Sequence, residues 1–391
     1  MSASKVLTAC RLFSNSPSRA VRLSLFLPAL AAVSVHAEQP LDVASGKALF
    51  EKIWVTAPSS TQASDGLGPY YDARACSACH ANGDQGEFPA ALVLSIDDPV
   101  YGKQLQRHAV AGLPAEGQFT VITGVQGDTA LPTVAAELSA LQYGELQQQG
   151  SLRLPPALHG IAGFDRVTTA VLQQWADPDD ANNDGISGRV SGRYGWKATG
   201  TTLAEQIDKA FSIDMGLGST RLASPHGDCT DSQSVCLQRP AGAATGEPEV
   251  PVVVGPLIAS YLQSLRPLTS TTPAGSDEFA ALGCGACHRP SLPAGDAELH
   301  AFTDLLLHDL GPGLAANLPE PTDLTQARPA EWRTAPLWGL SRRTRYLHDG
   351  RADTLDAAIR WHAGEAESSR NAYNDATNLQ RERLLAFLRA L

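Results

Sequence analysis

The sequence predicts a mainly α protein made of two similar units, the first interrupted by a long loop-rich insertion with some β-ribbon. Three observations predict it. One short run occurs twice, as Cys76-Ser77-Ala78-Cys79-His80 and as Cys284-Gly285-Ala286-Cys287-His288. Each copy follows a helical pattern and a glycine, which makes a weak internal repeat. The stretch between the copies is rich in Gly and Pro, which favours loops over long regular elements.

The repeated run says what the units hold. C-x-x-C-H is the attachment pattern of a c-type haem. Two thiols form thioethers to the haem vinyl groups, and the adjacent histidine binds the iron axially. Two such runs behind an export signal predict two covalently bound haems in two cytochrome c-like haem domains. The expected division is a signal peptide over 1–37, an N-terminal haem domain with its insertion over 38–268, and a C-terminal haem domain over 269–391.

The elements follow in order. Lys5, Arg11, Arg19 and Arg22 precede an apolar run from Leu23 to Val35, and Val35-His36-Ala37 fits a signal-peptidase site. The run is too short for a comfortable membrane span. The expected location is therefore periplasmic, with a retained anchor as the weaker alternative. Ala44 to Val55 predicts a helix with Leu49, Phe50, Ile53 and Trp54 on one stripe. A Gly/Pro loop from Asp65 to Pro69 leads into the first motif. Phe119 to Ile122 reads as ribbon, with turns at Gly124, Gly127-Asp128 and Gly144. Arg166 to Trp175, Leu203 to Phe211 and Ile258 to Leu265 read as helices, and Thr269 to Gly275 as a linker. The chain ends in a helix with Leu384, Leu385, Leu388 and Leu391 at helical spacing.

Charge and cysteine usage narrow the classes. The formal net charge is −11, and removing residues 1–37 makes it more negative. That argues against nucleic acid as a partner and permits a cationic redox partner. Cys10 leaves with the signal and four cysteines carry haem. Cys229 and Cys236 remain in a polar loop, where a disulfide is the simplest assignment. A reactive thiol pair is the sharper alternative.

His80 and His288 are the proximal ligands of the motifs. Met215 is the sole methionine after the signal, so at most one haem takes His/Met ligation. His362, at the end of a helical segment from Thr354, is the candidate second ligand of the second haem. His308-Asp309 and His348-Asp349 are pairs able to orient an imidazole or to serve as turn hydrogen bonds. His108 and His159 are weaker candidates at the first haem. Asp180-Ala181-Asn182-Asn183-Asp184-Gly185 matches the opening of a calcium loop, with Asp180, Asn182 and Asp184 as ligands. The closing acidic residue is absent, and a plain Asx turn is the alternative. Arg189, Arg193, Arg333, Arg345 and Arg351 are candidates for haem propionates or for surface ion pairs.

Longer stretches resemble a known family. They include Gly66-Leu67-Gly68-Pro69, Tyr101-Gly102-Lys103-Gln104-Leu105-Gln106, Gly192-Arg193-Tyr194-Gly195-Trp196-Lys197-Ala198 and Asp214-Met215-Gly216. The C-terminal half adds Leu307-His308-Asp309-Leu310-Gly311-Pro312-Gly313, Glu331 to Gly339, His348-Asp349-Gly350-Arg351 and His362-Ala363-Gly364-Glu365-Ala366. These resemble the di-haem oxidoreductase family, peroxidase-like proteins often labelled thiol oxidoreductases. They are distant relatives of bacterial di-haem cytochrome c peroxidases. The resemblance implies a peroxidase-like oxidoreductase that meets hydrogen peroxide at the first haem. Electrons would come through the second haem from a small cytochrome or cupredoxin. It implies a bis-histidine second haem, because His362 stands where the peroxidases carry a methionine. It also implies an acid–base residue near the first haem, for which Glu116 and Gln104 are the candidates. The rivals are an electron-transfer cytochrome and a thiol or metal-ion redox protein.

Overall fold

Leu49 and Phe50 lie on the inner face of α1 (Pro40–Glu51), the first element of the computed structural model. The structure describes residues 40–391 except 245, 269–275 and 324. The signal expected over 1–37 and the linker expected over 269–275 lie outside the described residues. After α1 come β1 (Tyr70–Tyr71), the single-turn α2 (Cys76–Cys79), β2 (Val93–Asp98), β3 (Gly102–Gln104) and β4 (His108–Ala109). Next are β5 (Gln118–Gln126), β6 (Leu131–Ser139), β7 (Ser151–Arg153), α3 (Thr169–Trp175), α4 (Leu203–Met215), α5 (Ser234–Leu237) and α6 (Val254–Ser264). The C-terminal half holds α7 (Ser276–Ala281), β8 (Leu292–Ala294), β9 (Ala297–Leu299), β10 (Leu307–Asp309) and β11 (Glu331–Arg333). It ends in α8 (Leu355–Trp361), α9 (Glu367–Asp375) and α10 (Asn378–Arg389).

Local chemistry explains where the helices that carry the site begin and end. Thr202 caps α4 by accepting from the Glu205 amide, and Gly216 closes it in the left-handed region. Thr354 caps α8 by accepting from the Ala357 amide. Thr377 and Gln380 form a capping box on α10. Gly46 lets α1 lie against α6: a Cβ there would stand 1.9 Å from the Leu257 carbonyl oxygen.

The strands form small antiparallel sheets. β2 is central between β3 and β7, while β1 pairs with β4, β8 with β9 and β10 with β11. β5 and β6 make a longer ribbon, in register from Gln118 opposite Ser139 to Gln126 opposite Leu131.

Two expectations need correction. The fold is mixed α and β rather than mainly α, and it does not divide clearly into two cytochrome c-like domains. The largest core joins Phe50, Trp54, Phe164, Phe211 and Ile258 to Leu292, Leu299, Leu306 and Trp338 from beyond residue 268. Each fully buried side chain of this kind contributes about 1.5–3 kcal/mol, so the halves stabilise each other. Apart from the six-residue β2, the strands of the small sheets have two or three residues, too short to show alternation in the sequence. A second core, of Phe279, Phe302, Tyr373, Leu384 and Phe387, belongs to the C-terminal half alone.

Candidate functional site

Each Cys-x-x-Cys-His run opens onto its own cavity. The first cavity is walled by Cys76, Cys79 and His80 with Phe50, Phe164 and Asp214. The second is walled by Cys284, Cys287, His288 and His362 with Trp332 and Glu365. Trp196, Arg333, Ala335 and Arg343 border both, so the cavities are neighbours with a common wall. Trp196 is fixed in that wall by its indole N–H to the Leu154 carbonyl, 3.0 Å away.

The motifs fold alike. A single helical turn returns the His80 amide to the Cys76 carbonyl at 2.9 Å and the His288 amide to the Cys284 carbonyl at 3.0 Å. That turn brings two sulfurs and an imidazole to one wall. Burial pushes both His80 and His288 down to about 4, so each ring is neutral and has a lone pair for a metal. Burial, aided by Asp214, pushes Cys76 and Cys79 up to about 12. These are thiols rather than reactive thiolates.

The second cavity holds two tethered histidines. His288 donates from Nδ1 to the Phe302 carbonyl at 2.9 Å, and His362 from Nδ1 to the Ala358 carbonyl at 2.8 Å. Each tether leaves Nε2 as the unprotonated nitrogen. Phe302 presents its carbonyl from a left-handed backbone, φ 51°, a conformation disfavoured for an aromatic residue. His362 stands at the C-cap of α8, so the Thr354 cap and the helix length set its position.

His308 has a different part. Its Nε2 meets Asp304 at 3.0 Å and its Nδ1 meets Glu365 at 2.6 Å. Burial opposes its charge, but Asp304, Cys287 and Glu365 together outweigh burial and push it up to about 12. Burial likewise opposes ionisation of Glu365, yet the bonds from His308, the Asp309 amide and Ser187 bring it down to about 2. The group is a buried carboxylate–imidazolium–carboxylate triad in which both ring nitrogens are engaged. Cys287, Asp304 and His308 have ligand atoms within 4.8 Å of one another, the metal-type cluster found among the described residues. Protons on both His308 nitrogens oppose a metal there. His348 stacks on Trp332 at 3.7 Å, and burial keeps it neutral.

The arginines test whether haem fits. Arg153 borders the first cavity and Arg343 both, and each has a buried Nε–H with no partner. Unpaired buried guanidinium donors beside a large cavity suit the propionate carboxylates of a haem. Sequence reading missed both, since nothing local marks them. Arg333 walls both cavities but spends its donors on the Gly195 and Thr334 carbonyls. Arg351 borders neither cavity; it pairs with Asp349 at 2.7 Å. Arg189 pairs with Glu331, Arg193 bonds the Val167 and Thr201 carbonyls, and Arg345 lies over Phe88.

Glu116, Gln104, His108 and His159 lie outside both cavity walls. Glu116 accepts from the Gln106 amide at 2.8 Å and from the Gln233 side chain, outside the cavity wall. Gln104 touches the wall indirectly, donating to Asp214 at 3.1 Å. His108 stacks on Tyr71, and His159 lies 3.5 Å from Asp84. Met215 is buried in the core and borders the first cavity. Asp180, Asn182 and Asp184 lie in an exposed turn and accept from the Gly185, Asp184 and Ile186 amides. Asp177 accepts from Ala181. The oxygens thus serve as Asx-turn acceptors, and the turn is anchored through Ser187 and Gly188 to Glu365. Cys229 and Cys236 form a disulfide.

Residues 182–391 match the family model described as "Di-haem oxidoreductase, putative peroxidase". Among solved structures, hydrazine synthase of Kuenenia stuttgartiensis is similar at 14% identity, covering 98% of this chain and 100% of that one, with a TM-score of 0.38. A variant of the di-haem peroxidase of Burkholderia thailandensis is similar at 16% identity, covering 90% of this chain and 85% of that one, with a TM-score of 0.37. No curated protein matches the chain.

Proposed function

Since the chain belongs to the di-haem oxidoreductase family, we propose that it is a periplasmic peroxidase-like oxidoreductase with one covalently attached c-type haem in each cavity. The observation that carries this reading is the unequal pair of cavities. Both have a Cys-x-x-Cys-His wall, but the second has a further tethered histidine where the first has His80 alone as its lining histidine. Haem bound in such sites supplies one-electron chemistry and, where an axial position is open, a place for a small oxidant.

The chain's own groups divide the work. Cys76, Cys79, Cys284 and Cys287 tether, and His80, His288 and His362 ligate through neutral nitrogens. Arg153 and Arg343 hold propionates. Trp196 fills the common wall, the short route for electrons between the sites. Hydrogen peroxide is the oxidant assigned to the first cavity, and a small cytochrome or cupredoxin the electron donor. Among the described residues no helix is long and apolar enough to cross a membrane.

Hydrogen peroxide mixed with the reduced, haem-loaded protein should oxidise it rapidly in a stopped-flow experiment. The ferric spectrum should contain one high-spin and one low-spin haem, or acquire the high-spin form on half-reduction. Two low-spin haems throughout, oxidised no faster than a bis-histidine cytochrome, would make the protein an electron carrier.

A further inference from the structure

We propose that Asp214, held by Gln104, is the proton donor of the first cavity. The inference rests on the reading that a redox centre sits there. Asp214 ends α4, and its backbone carbonyl accepts from the Asp72 and Ala73 amides at 2.9 and 3.0 Å. That ties the helix end to the segment just before Cys76. The side chain is partly buried, borders the cavity and acts electrostatically on both Cys76 and Cys79.

Its neighbours decide where a proton resides. Asp72 has a cation, Arg107, at 3.0 Å. Asp228 accepts from the Lys103 and Gln104 amides. Glu116 accepts from Gln106 and Gln233. Asp214 has one neutral donor, the Gln104 amide, which also reaches Asp72 at 3.4 Å. Asp214 is therefore the member of this group that borders the cavity, and a single neutral donor supports its charge. Burial pushes it up to about 7, against the Gln104 bond and with help from Asp72 and Asp228. Burial also raises Asp228 to about 6 and Glu116 to about 8, so Glu116 is the carboxyl behind it that holds a proton near pH 7.

The chemistry balances. Reducing peroxide to two waters breaks one O–O bond and makes two O–H bonds, using two electrons and two protons. A one-electron donor protein supplies the electrons, one at a time. Asp214 gives a proton, becomes carboxylate, and is reprotonated from the carboxyls behind Gln104. Adding an electron to the cavity raises the proton affinity of a nearby carboxyl, so electron and proton arrive together.

The test uses the haem-loaded protein and two readouts besides turnover. The first site's potential should fall as pH rises above about 7, and this slope should vanish in Asp214→Asn. A carboxyl C=O stretch that moves on reduction should be absent in the same variant. Peroxide reduction by Asp214→Asn should fall at least ~100-fold, the usual share of a general acid, with partial recovery in Asp214→Glu. Persistence of both the slope and the band in Asp214→Asn overturns the proposal. So does a wild-type potential flat across this range, which decides the matter even if the variant does not fold. If wild type does not reduce peroxide while slope and band depend on Asp214, the peroxidase reading fails and the proton coupling stands.

Discussion

The two cavities share a motif and a wall but handle buried charge in opposite ways. Beside the second cavity, His308 is locked between Asp304 and Glu365, and both carboxylates contact that one cation. At the first, Asp72, Asp214, Asp228 and Glu116 cluster with partial or full burial, and among the described residues their ion pair is the one from Arg107 to Asp72. Carboxylates pinned by a cation resist changing their charge; a carboxyl cluster with fewer cations changes it readily. The difference teaches where chemistry belongs. A site that only passes electrons benefits from surroundings that do not titrate. A site that turns an oxidant into water needs groups that do.

The comparison breaks hardest at Glu365. Glu365→Gln leaves the His308 imidazolium with Asp304 alone and releases the turn held at Ser187 and Gly188. Loss of one partner of a buried pair predicts about 3 kcal/mol of destabilisation, read by chemical denaturation near pH 5.5. The pH dependence has a defined sign. Glu365 lies at about 2 in the fold against an ordinary 4.5, so its contribution is full above 4.5 and fades as pH falls towards 2. His308 lies at about 12 against 6.5, so its contribution is full below 6.5 and fades as pH rises towards 12. The difference between wild type and variant should therefore peak between pH 4.5 and 6.5. A difference independent of pH would show that the triad is not an ion pair.

The second test sharpens the first cavity's side. The Cys229–Cys236 disulfide closes a short loop that contains Gln233, the partner of Glu116. Replacing both cysteines with Ser should cost about 2 kcal/mol by freeing the unfolded chain. Peroxide reduction should survive, since neither sulfur borders a cavity. Loss of activity in a folded double variant would instead favour redox chemistry at the thiol pair.

Part of each cavity wall was legible in the sequence, and the groups that surround it were not. Cys-x-x-Cys-His fixes three groups through local geometry, so both walls follow from spacing alone. His362 was legible because a capped helix ends on it. Asp214, Arg153 and Arg343 were not, because their roles come from burial and from segments far apart in sequence. The pattern at Asp180, Asn182 and Asp184 left a calcium loop and a plain Asx turn both open, and its oxygens accept from the loop's own amides. The spacing that points oxygens at a cation also points them at the loop's own amides. Two cytochrome c-like domains are not clearly separate at Leu292, Leu299 and Trp338, apolar residues that share a core with the other half.

The smallest effect falls on the link between the halves. The Trp361 indole N–H donates to the Pro132 carbonyl at 3.0 Å, and Leu131 packs on Ala357 and Ala358. The ribbon of the first half thus braces the helix that ends in His362. Trp361→Phe keeps the ring and removes the donor, at a cost of about 1 kcal/mol. If the ribbon only adds stability, the variant's second haem keeps its low-spin spectrum and its potential. If the ribbon positions His362, the same small loss broadens or shifts the low-spin signal of that haem while the first haem is unchanged. The second outcome is the one expected, because Trp361 directly precedes the ligand and α8 has only two turns over which to absorb a shift.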